Sequence, residues 1–216
     1  MKPGWLDEAV ALLLRRGRLL LKAYPGAGKS TLFPLRLLSA LPGKVLLFEP
    51  RRVAARAVAA RLAENLGEPL GKTVGYRVRL EGEEGPKTRL LVMTEGLLAR
   101  RLLEDPTLEG ISAVLLDEAH ERHLEGDLAL ALLLRLQETL RPDLKIALLT
   151  ATPDPDLEGA LGGAVLEVEG EGHPVEVFHL KRPPEAPWSP SPPTTPEAPS
   201  WREKGTFWSS SRGGGR

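Results

Sequence analysis

The nine residues AYPGAGKST (23–31) end like a phosphate-binding loop and begin unlike one. Gly28, Lys29 and Ser30 fit the close of the pattern G-x-x-x-x-G-K-(S/T), whose backbone N–H groups wrap a phosphate. Ala23 stands where that pattern has its first glycine. The flanks explain the mismatch. RLLLKA (18–23) is a short apolar run that stops at the loop, and LFPLRLLSAL (32–41) follows with helical spacing. Strand, Gly-rich loop, helix is the context that a phosphate cradle needs, because loop amides and a helix N-terminus face one anion. Ala23 is then the end of the strand and not part of the cradle. Pro25, Gly26, Ala27, Gly28, Lys29, Ser30 and Thr31 become the nucleotide-binding candidates. Lys29 suits the β- and γ-phosphates, and Ser30 suits Mg²⁺. The bland alternative is a Gly-rich turn without a ligand.

The strand–helix unit recurs along the chain. KVLLFEP (44–50) reads as a strand and RRVAARAVAARLAENLG (51–67) as a helix. Further strands are expected at 73–79, 89–93, 113–117 and 145–149, and further helices at 6–16, 95–104 and 127–141. Strands that are apolar throughout and alternate with helices imply a mostly parallel sheet with helices on both faces. The expected class is therefore doubly wound α/β, with its site at the carboxyl ends of the strands.

Bulk composition narrows the choices. The chain has 216 residues, and a domain of this size buries roughly 70% of its unfolded surface, so its core needs no staples. Cysteine is absent, which excludes disulfides and Cys-ligated zinc. No apolar run reaches the ~18 residues of a membrane span, and MKPGWLDEAV lacks the apolar core of a signal peptide, so a cytoplasmic chain is expected. Lys plus Arg and Asp plus Glu both number 29, so any basic patch has to be local.

VLLDEAHER (114–122) is the second informative stretch. An apolar strand ends in two adjacent acids. Asp117 is placed to serve Mg²⁺, and Glu118 to accept the proton of an attacking water. Alone, these acids would read as the first turn of a solvated helix; behind a phosphate loop in an α/β chain they read as catalytic, with Lys29. His120 and His123 flank Glu121, but H-E-R-H is one residue short of the zinc pattern H-E-x-x-H.

The loop and DEAH in this order resemble a superfamily 2 helicase of the DEAH-box group. FEPRRVAARAVAARLA (48–63) resembles motif Ia of that group, and VGYRVRLE (74–81) the segment after it. MTEGLLARRLLED (93–105) resembles motif Ib and LLTATPD (148–154) motif III. The wording around EPRR and VGYR is similar to the bacterial HrpB-type ATP-dependent helicases, and the resemblance covers about residues 5–182. It implies a RecA-like P-loop NTPase domain that binds ATP and Mg²⁺, with single-stranded RNA, or DNA, as partner. Asp117, Glu118 and His120 join the nucleotide site, and Ser30 and Asp117 become the metal candidates. Arg51 and Arg52 at the start of the 51–67 helix, with Thr94, Glu95 and Gly96 at another strand-to-helix turn, become the nucleic-acid candidates. Guanidinium groups suit phosphate oxygens, and nothing in this set reads a base, so binding is expected to be sequence-independent. Arg56 and Arg61 are assigned to a solvated face. Thr150, Ala151 and Thr152 fall in the motif that couples hydrolysis to movement in the family.

Family members use two RecA-like domains, and the second supplies arginine fingers, which in related phosphoryl transfer are worth about 10³–10⁵ in rate. The expectation is a first domain over residues 1–182 that does not unwind a duplex alone. Two other readings stay open: a degenerate fragment that binds nucleotide and catalyses nothing, and another P-loop NTPase such as a small kinase. Composition breaks near residue 183, with eight of the 20 prolines inside 183–199. Residues 183–216 are expected to form a disordered tail. Back-translated FWSSSRGGGR (207–216) can be written so that a shifted frame reads Leu-Val-Phe-Leu-Pro-Gly-Arg-Arg-Glu, which resembles the segment opening the second domain of the family. A frameshifted tail and an unrelated Pro-rich linker are the alternatives.

Overall fold

A computed structural model describes residues 4–152 and 154–170. Among the described residues six α-helices and eight strands follow in order: α1 Trp5–Arg16, β1 Arg18–Ala23, α2 Phe33–Leu38, β2 Lys44–Glu49, α3 Arg52–Asn65, β3 Val74–Val78 and β4 Glu81–Glu83. Then come β5 Leu90–Thr94, α4 Glu95–Glu104, β6 Ile111–Leu116, α5 Leu124–Thr139, β7 Lys145–Thr150, α6 Pro155–Leu161 and β8 Ala164–Val168. One sheet runs in the order β4-β3-β5-β2-β6-β7-β1-β8. Every pairing is parallel except β3 with β4. This is the doubly wound, mostly parallel α/β sheet expected from the sequence.

Why the central strands carry no polar alternation follows from the two cores. Val45 and Leu47 of β2 face α1, α2 and α3, while Leu46 and Phe48 face α4, α5 and α6. A strand covered on both faces must be apolar at every position. Each fully buried Leu or Phe contributes about 1.5–3 kcal/mol relative to an exposed one.

Helix ends follow local chemistry. α1 has Asp7 and Glu8 in its first turn, Arg15 and Arg16 in its last, and stops at Gly17 with φ 79°. These charges complement the helix dipole. α6 is capped by the Asp154 carboxylate, which accepts from the N–H groups of Asp156 and Leu157, has Pro155 at its start and ends at Gly162.

Several elements differ from the sequence expectation. α6, β8 and the antiparallel β4 were not anticipated. α2 covers only Phe33–Leu38 within the expected 32–41, and α5 begins at Leu124, three residues before the expected 127. The close of the expected domain, residues 171–182, and the tail 183–216 lie outside the described residues. Among the described residues, no helix is long and apolar enough to cross a membrane.

Candidate functional site

Five strands deliver functional side chains to one rim of the sheet, because parallel strands share a carboxyl end. β1 ends at Ala23, which is buried and pairs with Val168, so its methyl group sits in the strand and away from the loop. The loop then turns through Gly26 and Gly28 at φ 86° and 91°. At Gly28 a Cβ would lie 2.6 Å from Leu32 Cδ1, so a side chain here would be both strained and obstructed. The expected direct passage from loop to helix is modified. Leu32 N–H donates to Gly28 O at 2.7 Å, a turn fills residues 28–32, and regular helix begins only at Phe33. Pro25 and Gly26 are exposed, Ser30 and Thr31 are half-buried, and Ala27 is buried.

Lys29 is 7% exposed, and its Nζ lies 3.5 Å from Glu118 Oε1. Asp117 follows β6, is 1% exposed, and its N–H donates to Phe48 O of β2 at 2.9 Å. That contact sets Asp117 beside Glu49, the last residue of β2, which is 3% exposed. Burial first, then repulsion by and a hydrogen bond to Asp117, push the Glu49 carboxyl up to about 10; Lys29 opposes this. These effects favour the neutral form of the Glu49 carboxyl. Asp117 Oδ1 also accepts the Glu118 N–H at 2.9 Å. Glu118 adopts φ 50°, a left-handed conformation that a non-glycine residue holds only when its surroundings impose it.

A short 3₁₀ turn, Ala119–Glu121, carries His120 across to β7. His120 Nε2 is 3.5 Å from Glu118 Oε2, and its Nδ1 is 3.2 Å from Thr150 Oγ1. Thr150 is fully buried; its hydroxyl donates to Thr152 O at 2.8 Å and accepts from Thr152 N–H at 3.2 Å. Ala151 is half-buried and Thr152 exposed. A second bridge runs parallel. Arg122, at φ 50°, donates to Asp127 of α5 at 3.1 Å and stands 3.8 Å from Asp154, the cap of α6. The segment after β6 is thereby tied to the segment after β7 by two side chains.

Beyond β2 and β5 the expected nucleic-acid residues are only partly gathered. Arg52, Thr94 and Gly96 line one trough of about 430 Å³. Arg51 instead caps α3 and pairs with Glu121, which His123 Nε2 also meets at 2.7 Å. Glu95 opens α4, and its side chain lies outside the described residues. Arg56 pairs with Glu81 and Arg61 with Glu64, both at the surface. Arg79 and Arg100 line the same trough and were missed. Arg100 was legible, because it stands four residues after Gly96 and so on the same face of α4.

A DEAD/DEAH box helicase family model matches residues 7–159. The chain belongs to the DEAD/DEAH box helicase family. The ATP-dependent RNA helicase HrpB of Escherichia coli strain K12 is 50% identical over 182 residues, 82% of this chain and 22% of that relative. The DExH-box ATP-dependent RNA helicase DExH3 of Arabidopsis thaliana is 41% identical over 165 residues, 72% of this chain and 14% of its own length. The Homo sapiens ATP-dependent RNA helicase DHX33 is 35% identical over 167 residues, 73% and 24% of the two lengths. A crystal structure of the Escherichia coli DEAH/RHA helicase HrpB superposes with a TM-score of 0.75 at 52% identity, covering 79% of this chain and 22% of that one. This helicase domain thus has the RecA-like fold and spans about a fifth of the length of HrpB.

Proposed function

We propose that this chain is the ATP-binding domain of an ATP-dependent RNA helicase, holding Mg·ATP at the Lys29–Asp117 rim and single-stranded RNA, without regard to base sequence, at the Arg52–Thr94 trough. The carrying observation is the cluster of buried Lys29, Glu49 and Asp117 with half-buried Glu118. Glu49 and Asp117 lie side by side, and Glu118 stands 3.5 Å from the Lys29 ammonium, beside glycines whose positive φ opens the loop. Such a cluster fits a divalent cation and a polyanion together, since one relieves the carboxylates and the other occupies the ammonium. Ser30 and Asp117 would hold the cation, which supplies charge neutralisation at the phosphates.

The chain's own groups have separable tasks. Lys29 releases Glu118 and turns its ammonium to the terminal phosphate, a charge-assisted contact. Glu118, once released, takes the proton of the attacking water. Glu49 and the Glu118 N–H fix the Asp117 carboxylate in one orientation. His120 and Thr150 pass any movement of Glu118 to the segment after β7. Strand separation requires closure around the nucleotide by a second domain, and unwinding by the 216-residue chain alone is not part of the proposal.

Titration with a fluorescent ATP analogue tests the assignment. Lys29→Ala loses a hydrogen-bonded charge pair of about 1.5–3 kcal/mol, so affinity falls by roughly ten- to a hundredfold. Unchanged affinity in a folded variant would remove the nucleotide assignment. In the same preparations, ATP-driven strand displacement stays at background; active unwinding would show that one domain suffices.

A further inference from the structure

The turn that carries Glu118 is bracketed by two residues in an unfavourable conformation. Glu118 opens it at φ 50° and ψ 35°, and Arg122 closes it at φ 50° and ψ 50°. A side chain at positive φ crowds its own backbone, and neither residue is the glycine, asparagine or aspartate that enters this region most readily. The backbone between them gives uneven support. Glu121 N–H donates to Glu118 O at 2.9 Å, but Arg122 N–H reaches Ala119 O only at 3.4 Å, beyond the usual range. The far end of the turn has to be held from outside it.

The Arg122 side chain supplies that hold. Its Nε donates to both Asp127 carboxylate oxygens, at 3.1 and 3.2 Å, and its Nη2 donates to Oδ2 at 3.2 Å. A planar fork on a carboxylate fixes direction as well as distance. Asp127 is itself anchored in the first turn of α5, where its N–H donates to His123 O at 2.9 Å. Arg122 Nη1 lies 3.8 Å from Asp154 Oδ2, while Oδ1 of that carboxylate accepts from the N–H groups that open α6. One guanidinium thus joins the end of the turn to the starts of two helices. Glu118 and Arg122 line the same small cavity, closed by Leu130, Leu148 and Leu157. Its volume of about 10 Å³ admits one water at most, so Arg122 is not placed to bind a ligand there.

We propose that Arg122 is a positioning residue for hydrolysis: its fork on Asp127 holds the 118–122 turn in its left-handed bracket and so fixes where the Glu118 carboxylate meets the attacking water. The proposal rests on the reading of Glu118 as general base and deepens it. Without the fork, the turn relaxes toward the ordinary right-handed region, and rotation at Glu118 swings its carboxylate out of line. The phosphate contacts assigned to Lys29 and the loop do not pass through Arg122. The effect therefore falls on turnover and not on nucleotide affinity. A misplacement of about 1 Å in a reacting group costs on the order of a hundredfold in rate. The side chains of Arg122 and Asp127 are 44% and 40% exposed, and ion pairs so exposed add little to stability. Turnover and melting temperature thus separate a positioning role from a merely structural one.

The test measures steady-state Mg·ATP hydrolysis, affinity for a fluorescent ATP analogue and melting temperature on the full chain. The variants are Arg122→Ala, Asp127→Ala and the two combined. Arg122→Ala is expected to lower kcat by about ten- to a hundredfold. Its KM and analogue affinity stay within about twofold of the parent, and its melting temperature within about 2 °C. Asp127→Ala reports the same contact from the other side and loses a similar factor, so the test stands even if one variant does not fold. The double variant falls no further than the worse single one, because the two residues act as one unit. Turnover of Arg122→Ala within about twofold of the parent overturns the proposal. So does a loss of analogue affinity as large as the loss of kcat, which would mean general damage to the site. A large drop in melting temperature in both single variants makes the contact structural, and losses that multiply in the double variant make the residues independent; either result is against the proposal. A parent that turns over no faster than Glu118→Gln removes the base reading itself, with Arg122 intact, and the proposal falls with it.

Discussion

Glu118 stands between two partners, Lys29 Nζ on one carboxylate oxygen and His120 Nε2 on the other, each at 3.5 Å. An amide at this position keeps the shape and can still accept from Lys29, but it is no base. Glu118→Gln is therefore expected to bind Mg·ATP within about twofold of the parent, since the phosphate contacts reside on Lys29 and the loop. Its steady-state hydrolysis falls to the level of Lys29→Ala. Equal turnover in Glu118→Gln and the parent would take the base role away from Glu118. Lys29, Ser30, Asp117, Glu118 and Thr150 were all legible, because each sits at a fixed offset from an apolar run. Glu49 was not. In sequence it lies near the end of the strand KVLLFEP, ahead of Arg51 and Arg52, and no motif singles it out. Only the pairing of β2 with β6, with Phe48 opposite Leu116, puts it beside Asp117. The available signal was an acid closing the apolar run KVLLFE, just as Asp117 closes VLLD.

The elements that escaped the sequence reading are the short ones. β4 is three polar residues, Glu81–Glu83, and pairs only because the hairpin after β3 returns it. α6 had the better signal, with Asp154 as cap, Pro155 at its start and Gly162 beyond its end, but seven residues are too few for helical periodicity to register. Long-range side-chain staples were equally invisible. Arg141, in the loop before β7, donates to Thr107 O at 2.7 Å, Leu108 O at 2.8 Å and Ile111 O at 2.8 Å, tying that loop to the one before β6. Asp143 holds the guanidinium at 2.9 and 2.8 Å. Arg141→Ala removes three hydrogen bonds to backbone carbonyls and is expected to lower stability by about 2 kcal/mol, read from the urea midpoint at constant slope. The Arg141 hydrogen bond also holds the Asp143 carboxyl below its usual 3.8. A lowered folded value means stability that is present above pH 3.8 and lost as pH falls through that lower value. The parent should therefore exceed Asp143→Asn by a constant margin from neutral pH down to about 5, and the margin should close in stronger acid. A margin that grows on acidification would reverse the assignment.

At the scale of the molecule, the sheet order places β1, β6 and β7 side by side, with β2 and β5 beyond β6. The residues proposed for nucleotide, coupling and nucleic acid therefore emerge along one rim. Among the described residues, the candidate site residues from Pro25 to Thr152 all precede β8, and the two hydrophobic cores draw on residues 5–168. Positions 186–216 lie outside the described residues. Those positions also differ in kind, because the Pro, Ser and Trp that enter after residue 183 carry no strand or helix period. We propose that they are encoded out of frame with a longer helicase gene and have no selected role. Two measurements bear on this. The chain shortened after residue 185 is expected to melt within about 2 °C of the parent, because an out-of-frame segment has no selected packing and a loss of even 1 kcal/mol would move the midpoint by about 2–4 °C. Its affinity for the ATP analogue should be unchanged. A clear fall in melting temperature would mean that the segment packs on the domain, which a frame-shifted sequence has no reason to do. The genomic DNA supplies the independent check. A shifted frame running on into a helicase-like segment supports the proposal, and its absence at the locus would end it even if the shortened chain were fully stable.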